Sequence, residues 1–440
     1  GNKRNMKKEV ILVGAGLAGS EAAYQLAKRG IFVQLYEMKG QKKTEAHHYD
    51  YFAELVCSNS LGGNHLGNAS GLMKEELRFL DSLLIRVADE TKVPAGQALA
   101  VDRHEFSEKV TEILRTMENI TIVEEEFTKI PKDQYVLIAS GPLTSELLFK
   151  ELLDITGEDS LYFYDAAAPI VSLESIDMTS AYFQSRYGKG EGEYINCPMT
   201  KEEYEVFYTE LIRAERAPLK KFEEEKLFDA CMPVEKIAMS GEKSLLFGPL
   251  KPKGLTNPRT NQMDYAVVQL RQDDKEGKLY NMVGFQTNLK WGEQKRVFSM
   301  IPALKQVDFL RYGVMHRNTF LNSTKLLKSD LALKSQENLY FAGQITGGEG
   351  YVAAISTGCI AAINIANKLQ GKEAFILEDV TAIGALIRYI TEEKKKFQPM
   401  GPNFGIIRSL EGKKFRDKRE RYFEMSRLSI EYLKNKIKVL

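Results

Sequence analysis

The stretch that most constrains this chain is Glu9-Val10-Ile11-Leu12-Val13-Gly14-Ala15-Gly16-Leu17-Ala18-Gly19. A short apolar run opens directly into a GxGxxG turn, and such a run reads as a buried strand. Helical spacing follows from Ser20 to Lys28, with Ala22, Ala23, Leu26 and Ala27 on one face. Gly30 stops that helix, Ile31 to Tyr36 reads as a second strand, and Glu37 closes it. Each part has a physical reason. Gly14 permits the tight turn, Gly16 lets the backbone approach a pyrophosphate, and Gly19 lets helix and strand pack closely. Ala15, Leu17 and Ala18 complete the turn, whose helix N-terminus offers free N–H groups and a partial positive charge. Glu37 is placed to accept from ribose hydroxyls, which favours FAD or NAD over a nucleotide with an extra phosphate. A Gly-rich turn in an unrelated α/β unit is the plainer alternative, but it leaves the ordered strand, helix, strand and acid unexplained.

A late segment bears on the choice between FAD and NAD. Asn338 to Ile345 reads as strand then turn, and Thr346-Gly347-Gly348-Glu349-Gly350-Tyr351 is a polar, Gly-rich bend. Val352 to Leu369 then repeats Ala and Ile at helical spacing. A helix N-terminus near Gly350 suits the flavin end of a large two-part cofactor, with Gly343, Gln344, Gly347, Gly348 and Gly350 as candidate lining residues. An ordinary βα turn is the alternative.

Between these two segments the chain changes character. Residues 71–88, Phe106 to Met117 and Lys201 to Glu215 have helical patterns, and Thr121 to Glu124 and Gln134 to Ala139 read as strands. From about residue 166 to 330 the composition is richer in aromatics, charged loops and turn signals. Leu245 to Leu250 and Leu279 to Phe285 read there as strands of a mixed or antiparallel sheet. The expected architecture is α/β: a Rossmann-type FAD-binding domain with an inserted mixed α/β substrate domain. Its parts are residues 6–165, the insert 166–330, and 331–440 with a basic helical tail.

One cysteine stands in an unusual place. Glu54-Leu55-Val56-Cys57-Ser58-Asn59-Ser60-Leu61-Gly62-Gly63 puts a thiol in a small, polar, Gly-rich turn, whereas structural cysteines usually sit among apolar neighbours. The chain has only four cysteines, and none is paired at metal-ligand spacing, so no metal site is expected. Their number and spacing suit a reducing, cytoplasmic compartment. The opening residues lack a signal-peptide pattern, and no apolar run of membrane-spanning length is expected. With 61 basic and 60 acidic residues, net charge neither requires nor excludes a nucleic-acid partner. Lys290-Trp291-Gly292-Glu293-Gln294-Lys295-Arg296 sets the only tryptophan beside three cations, a combination suited to stacking on a base or pterin and pairing with an anion. Solvent-facing loop is the equal alternative. His47 and His48 are adjacent, so an extended chain would point at most one at a given ligand. Oligomeric state is not fixed by any of these features.

Long segments then resemble one family. They include the Cys57 stretch, Val93-Pro94-Ala95-Gly96, Cys231-Met232-Pro233, Phe247 to Pro252, Val267 to Asp274, Tyr280 to Phe298, Arg311-Tyr312-Gly313-Val314-Met315-His316-Arg317-Asn318-Thr319 and Phe397-Gln398-Pro399-Met400. Together they resemble the bacterial folate- and FAD-dependent methyltransferases acting on uridine C5 in RNA. These are the methylenetetrahydrofolate--tRNA-(uracil-5-)-methyltransferase family and its ribosomal RNA-modifying paralogue, and more broadly the tRNA-modification flavoproteins of the glucose-inhibited-division type. The resemblance implies transfer of a one-carbon unit from methylenetetrahydrofolate by way of FAD to uridine C5, with NADPH or NADH as reductant. It implies two catalytic cysteines, Cys57 and Cys231, one adding to uracil C6 and the other assisting; which does which stays open. It makes His316 and Arg317 candidates for orienting the uracil, and Lys290, Trp291 and Arg296 candidates for folate or RNA contact. Departures at Gly62, Gly348 and Gly401 bear on the RNA docked rather than on the chemistry. The T-loop uridine of tRNA is the leading target and a 23S ribosomal RNA uridine the alternative. A non-catalytic flavin-containing RNA-binding protein and a small-molecule FAD oxidoreductase are the remaining readings.

Overall fold

The structure is a computed structural model. It describes every residue except 1–7, 39–50, 141–144, 158–160, 219–231, 275, 394–398, 411, 413, 414 and 416, and only the backbone of 146, 161–166 and 316–319. Two six-stranded sheets organise the described residues. The first has the strand order Ala332–Leu333, Gln336–Phe341, Tyr135–Ile138, Glu9–Val13, Phe32–Tyr36 and Ile120–Val123. Its pairings are parallel apart from the edge pair Ala332–Leu333 with Gln336–Phe341. Parallel strands buried on both faces explain the unbroken apolar run at Val10–Val13.

Gly14 leaves the first strand with φ at +99°, a conformation that favours glycine. A Cβ at Gly19 would lie 1.7 Å from the Gly14 carbonyl oxygen, so the helix Leu17–Lys28 packs on the turn only because that position is bare. The same helix lies against Tyr351–Leu369, where a Cβ on Gly358 would meet the Ala18 carbonyl oxygen at 2.3 Å. The expectation that no run reaches membrane-spanning length is corrected by Tyr351–Leu369. It is long and apolar enough, yet 89% of its most apolar window is buried inside the fold, as suits a core helix.

The second sheet is antiparallel, in the order Tyr182–Phe183, Ile195–Met199, Ala266–Gln272, Leu279–Met282, Ile170–Ser172 and Phe309–Arg311. One face, with Val171, Val268, Leu270, Tyr280 and Met282, packs into its own core with Tyr204, Phe207, Val297 and Phe298 from flanking helices. The opposite face is polar and turns toward the first half of the chain. A ribbon of Leu161–Ala167 paired with Val314–Phe320 connects the two parts.

Two local expectations are corrected. Residues 71–88 form two helices, Ala69–Phe79 and Leu83–Glu90, because Asp81 adopts φ of +57° between them and Ser82 caps the second. Leu245–Leu250 is not a strand: Ser244–Phe247 is a 3-10 turn, with Phe247 projecting into solvent.

The C-terminal helices are tied down by one buried acid. Glu76 accepts from the Ala382 and Ile383 N–H groups, capping Ala382–Thr391, and from the Ser429 hydroxyl of Lys418–Lys436. Burial pushes the Glu76 carboxyl up to about 7, against the lowering effect of those three donors. A carboxyl raised on folding contributes stability that is complete below its unfolded value and is lost as pH rises through about 7. Thermal melting is therefore expected to fall between the ordinary carboxyl value of 4.5 and about 7 and to level off above it, and Glu76→Gln to flatten that slope. An unchanged slope in the variant would remove Glu76 as its source.

Candidate active site

A cavity runs along the carboxyl ends of the first sheet. Its lining includes Gly14, Gly16, Leu17, Ala18, Tyr36, Glu37, Ala139, Ser140, Gly343, Gln344, Gly350 and Tyr351. Two helix N-termini open onto it, those of Leu17–Lys28 and Tyr351–Leu369. Their N-caps are Gly16 and Gly350, so neither has a side chain to satisfy its first N–H groups. A Cβ at Gly16 would meet nothing within 4 Å, which leaves the backbone open to close approach. Glu37 Oε2 accepts the Ala15 N–H at 2.8 Å, tying the acid to the glycine turn. Gln344 Oε1 is buried with no donor. Bare N–H groups for a pyrophosphate, an acid at one end and an orphaned acceptor at the other fit FAD. Gly19 serves packing rather than lining. Gly347 and Gly348 lie in the bend behind, where the Gly347 carbonyl oxygen accepts the Met400 N–H.

The cavity ends against Glu54, Val56 and Tyr351, and there the Cys57 turn begins. The Cys57 side chain is half-buried. Four distant segments hold the turn. The Tyr351 hydroxyl oxygen accepts the N–H groups of both Cys57 and Ser58 at 2.8 Å. Arg311 Nη2 donates to the Cys57 carbonyl oxygen at 3.0 Å and to that of Ala168 at 3.0 Å. Arg271 donates to the Ser58 hydroxyl at 2.7 Å and to Asn59 Oδ1 at 3.3 Å. Arg103 donates to the Leu55 carbonyl oxygen and forms a buried, two-pronged pair with Asp273, both bonds at 3.1 Å. The polar turn around Cys57 is thus a backbone scaffold clamped between the two halves of the chain.

Charge around the turn is shifted. Burial, then the neighbouring Arg103, pushes the Arg311 guanidinium down to about 10. Burial, then the charge of Cys57, pushes the Tyr351 phenol well up, so its hydroxyl stays protonated. The other described cysteines are different in kind. Cys197 is fully buried in the second sheet, where burial pushes its thiol up to about 12. Cys359 is buried in Tyr351–Leu369, and burial raises it well above its ordinary value.

Several expected residues stand elsewhere. Cys231, His47 and His48 lie outside the described residues. His316 and Arg317 fall in the strand Val314–Phe320, paired with Asp165 and Tyr164. Trp291 is 63% exposed and stacks on Tyr312, with centroids 5.5 Å apart and planes 11° apart; Tyr312 stacks in turn on Phe309 at 5.0 Å. The cations beside it are engaged: Lys290 pairs with Glu215 at 2.7 Å, and Arg296 with Glu293 and Glu210 at 2.6 and 2.9 Å.

These features define a class: a Rossmann-type dinucleotide-binding protein whose cofactor cavity runs up to a cysteine-bearing turn. The family model described as glucose inhibited division protein A matches residues 9–373. The methylenetetrahydrofolate--tRNA-(uracil-5-)-methyltransferase TrmFO of Fusobacterium nucleatum is 74% identical over 433 residues, covering 98% of this chain and 100% of that protein. That of Bacillus licheniformis is 56% identical over 436 residues, covering 99% of this chain and 100% of that protein. The crystal structure of Aquifex aeolicus GidA shares the fold, with a TM-score of 0.71 at 18% identity over 98% of this chain and 76% of that one. The chain belongs to the methylenetetrahydrofolate--tRNA-(uracil-5-)-methyltransferase family, within the wider glucose inhibited division protein A family.

Proposed function

We propose that this chain methylates C5 of a uridine in tRNA, with FAD in the cavity and methylenetetrahydrofolate as the one-carbon donor. The observation that carries this reading is the Cys57 turn, clamped from four sides at the end of a dinucleotide cavity. When bound, FAD supplies the electron transfer and one-carbon handling that the side chains of this protein lack. The residues supply the rest. Uracil C5 is a weak nucleophile until a thiolate adds at C6 and leaves C5 electron-rich. Cys57 and Cys231 are the two candidates for that thiolate, and a base then removes the C5 proton as the thiolate leaves. Tyr351 and Arg311 fix the backbone that carries the Cys57 thiol, so its position does not rest on the flexibility of a surface loop.

In this reading Gly14 to Ala18 and Glu37 hold the adenosine and pyrophosphate end, and the bend from Gly343 to Gly350 serves the flavin end. The reductant is NADPH or NADH, the target is the T-loop uridine, and the compartment is the cytoplasm. His316 and Arg317 orient the uracil. Trp291 offers a free indole face to an unpaired base, while Lys290 and Arg296, tied to carboxylates, hold the helix beneath it. Trp291→Ala is expected to weaken tRNA binding by 1–3 kcal/mol, about 5- to 150-fold, with FAD content unchanged. Equal affinity in a filter-binding titration would remove the platform.

The reading is tested by incubating the purified chain with methylenetetrahydrofolate, NADPH and, separately, unmodified tRNA and ribosomal RNA, then mapping modified uridines by mass spectrometry. 5-Methyluridine in the T loop is the expected result. Modification in ribosomal RNA alone would move the target, and none in either would remove the activity.

A further inference from the structure

The polar face of the second sheet carries a row of side chains that the clamp on Cys57 uses only in part. Pairing places Arg271 opposite Asn281, Asn281 opposite Ile170, and Ile170 opposite Arg311. Residues paired in this way share a face, and this face is the one whose arginines reach Ser58, Asn59 and Cys57. A register shift between Phe309 and Arg311 puts Arg311 into the row. Regular pairing would have placed Leu310 there, and Leu310 instead projects into solvent.

Three N–H donors on this row are buried without an acceptor: Asn281 Nδ2, Arg311 Nε and Arg311 Nη1. Burying a donor unpaired is costly, and most costly for a charged one, so native folds keep such groups where a ligand completes them. The unmet side-chain atoms along the row are all donors. Asp273, the carboxylate whose charge acts on Arg311, is already committed to Arg103. The unmet demand is therefore for an oxygen that carries negative charge.

We propose that Arg311, with Asn281 two strands away on the same face, is the donor surface that stabilises the uracil oxyanion formed when a thiolate adds to C6. This rests on the uridine methylation proposed above. In that step the sulfur lone pair forms the S–C6 bond, the C5–C6 π pair shifts to C4–C5, and the C4 carbonyl π pair moves onto O4. No electron leaves the ring and no other reactant is needed. The charge collects on O4, and a preorganised guanidinium fork and amide are suited to receive it. As methyl transfer proceeds, the O4 pair returns to re-form the carbonyl.

The addition step can be read without the methyl donor, because an adduct at C6 labilises the C5 hydrogen. The experiment measures tritium release from [5-³H]uridine-labelled tRNA with the FAD-loaded protein in the absence of folate, alongside tRNA affinity, FAD content and thermal melting. Two variants are compared. Arg311→Lys keeps the charge and loses the planar fork; Asn281→Asp keeps size and turns a donor into an acceptor opposite Arg271, without touching the Cys57 turn. Loss of one oxyanion donor lowers a rate by about 10²–10³-fold. Both variants are expected to release tritium about that much more slowly, with tRNA affinity within a few-fold of wild type and Asn281→Asp melting no lower. Wild-type release in Asn281→Asp and Arg311→Lys would overturn the proposal. So would methylation lost while release persists, which would assign the donors to the folate. If the unsubstituted protein neither releases tritium nor methylates tRNA, the proposed function itself fails.

Discussion

Asp273→Ala is expected to destabilise the folded chain by about 3–5 kcal/mol, more than any single surface substitution. The pair it breaks is almost fully buried, with Arg103 and Asp273 side chains 5% and 1% exposed. Removing the carboxylate leaves a guanidinium in the interior with Arg311 close enough to repel it. Arg103 opens the helix Arg103–Thr116 in the first half of the chain, and Asp273 follows the strand Ala266–Gln272 of the second sheet, so the loss falls on the junction. The double variant Arg103→Met/Asp273→Leu separates stability from function. Replacing both charges with apolar groups of similar bulk recovers most of the stability. The Leu55 carbonyl oxygen nevertheless loses its donor, so the Cys57 turn loosens and methylation stays low. Denaturant unfolding and methylation assays on the two variants check this. Full recovery of both properties in the double variant would show that the pair serves stability alone.

The second large effect concerns the thiol. Cys57→Ser keeps the side-chain size, and the Tyr351 and Arg311 bonds go to backbone atoms that the substitution does not change. Fold and FAD content are expected to stay as they are, while methylation falls by about 10³-fold or more. Cys197→Ser and Cys359→Ser place a hydroxyl in fully buried, apolar positions, so they are expected to cost stability and to leave activity per folded molecule unchanged. Activity retained in Cys57→Ser, measured with FAD content on the same sample, would remove the thiol from the chemistry.

The contrast between these sites shows what was legible in the residues alone. The Glu9 to Glu37 unit reads directly because its constraints are local: a buried strand, a turn that needs bare glycines, an apolar helix face and an acid. The core helix Tyr351–Leu369 reads for the same reason, although its apolar length alone suggests a membrane as readily as a core. Leu245–Leu250 misreads because a short apolar run does not distinguish a strand from a turn with one exposed aromatic. The break at Asp81 has no glycine or proline to announce it. At the site, Cys57 was legible as an oddity, a thiol in a polar turn. Its holders were not. Tyr351 lies 294 residues away along the chain, Arg311 254 and Arg271 213 from the atoms they bind. The pairing of the second sheet brings Arg271 and Arg311 to one face, the helix Tyr351–Leu369 supplies the third holder, and Arg311 arrives through a register shift that no periodicity records.

The measurement that tests the central claim most directly follows the carbon. The FAD-loaded protein is given methylenetetrahydrofolate deuterated at the methylene carbon, NADPH and unmodified tRNA, and the nucleosides are analysed by mass spectrometry. The expected result is a uridine carrying the deuterated carbon at C5, absent from the Cys57→Ser reaction. An undeuterated methyl group, or no methyl group while FAD is bound and reduced, would contradict the account.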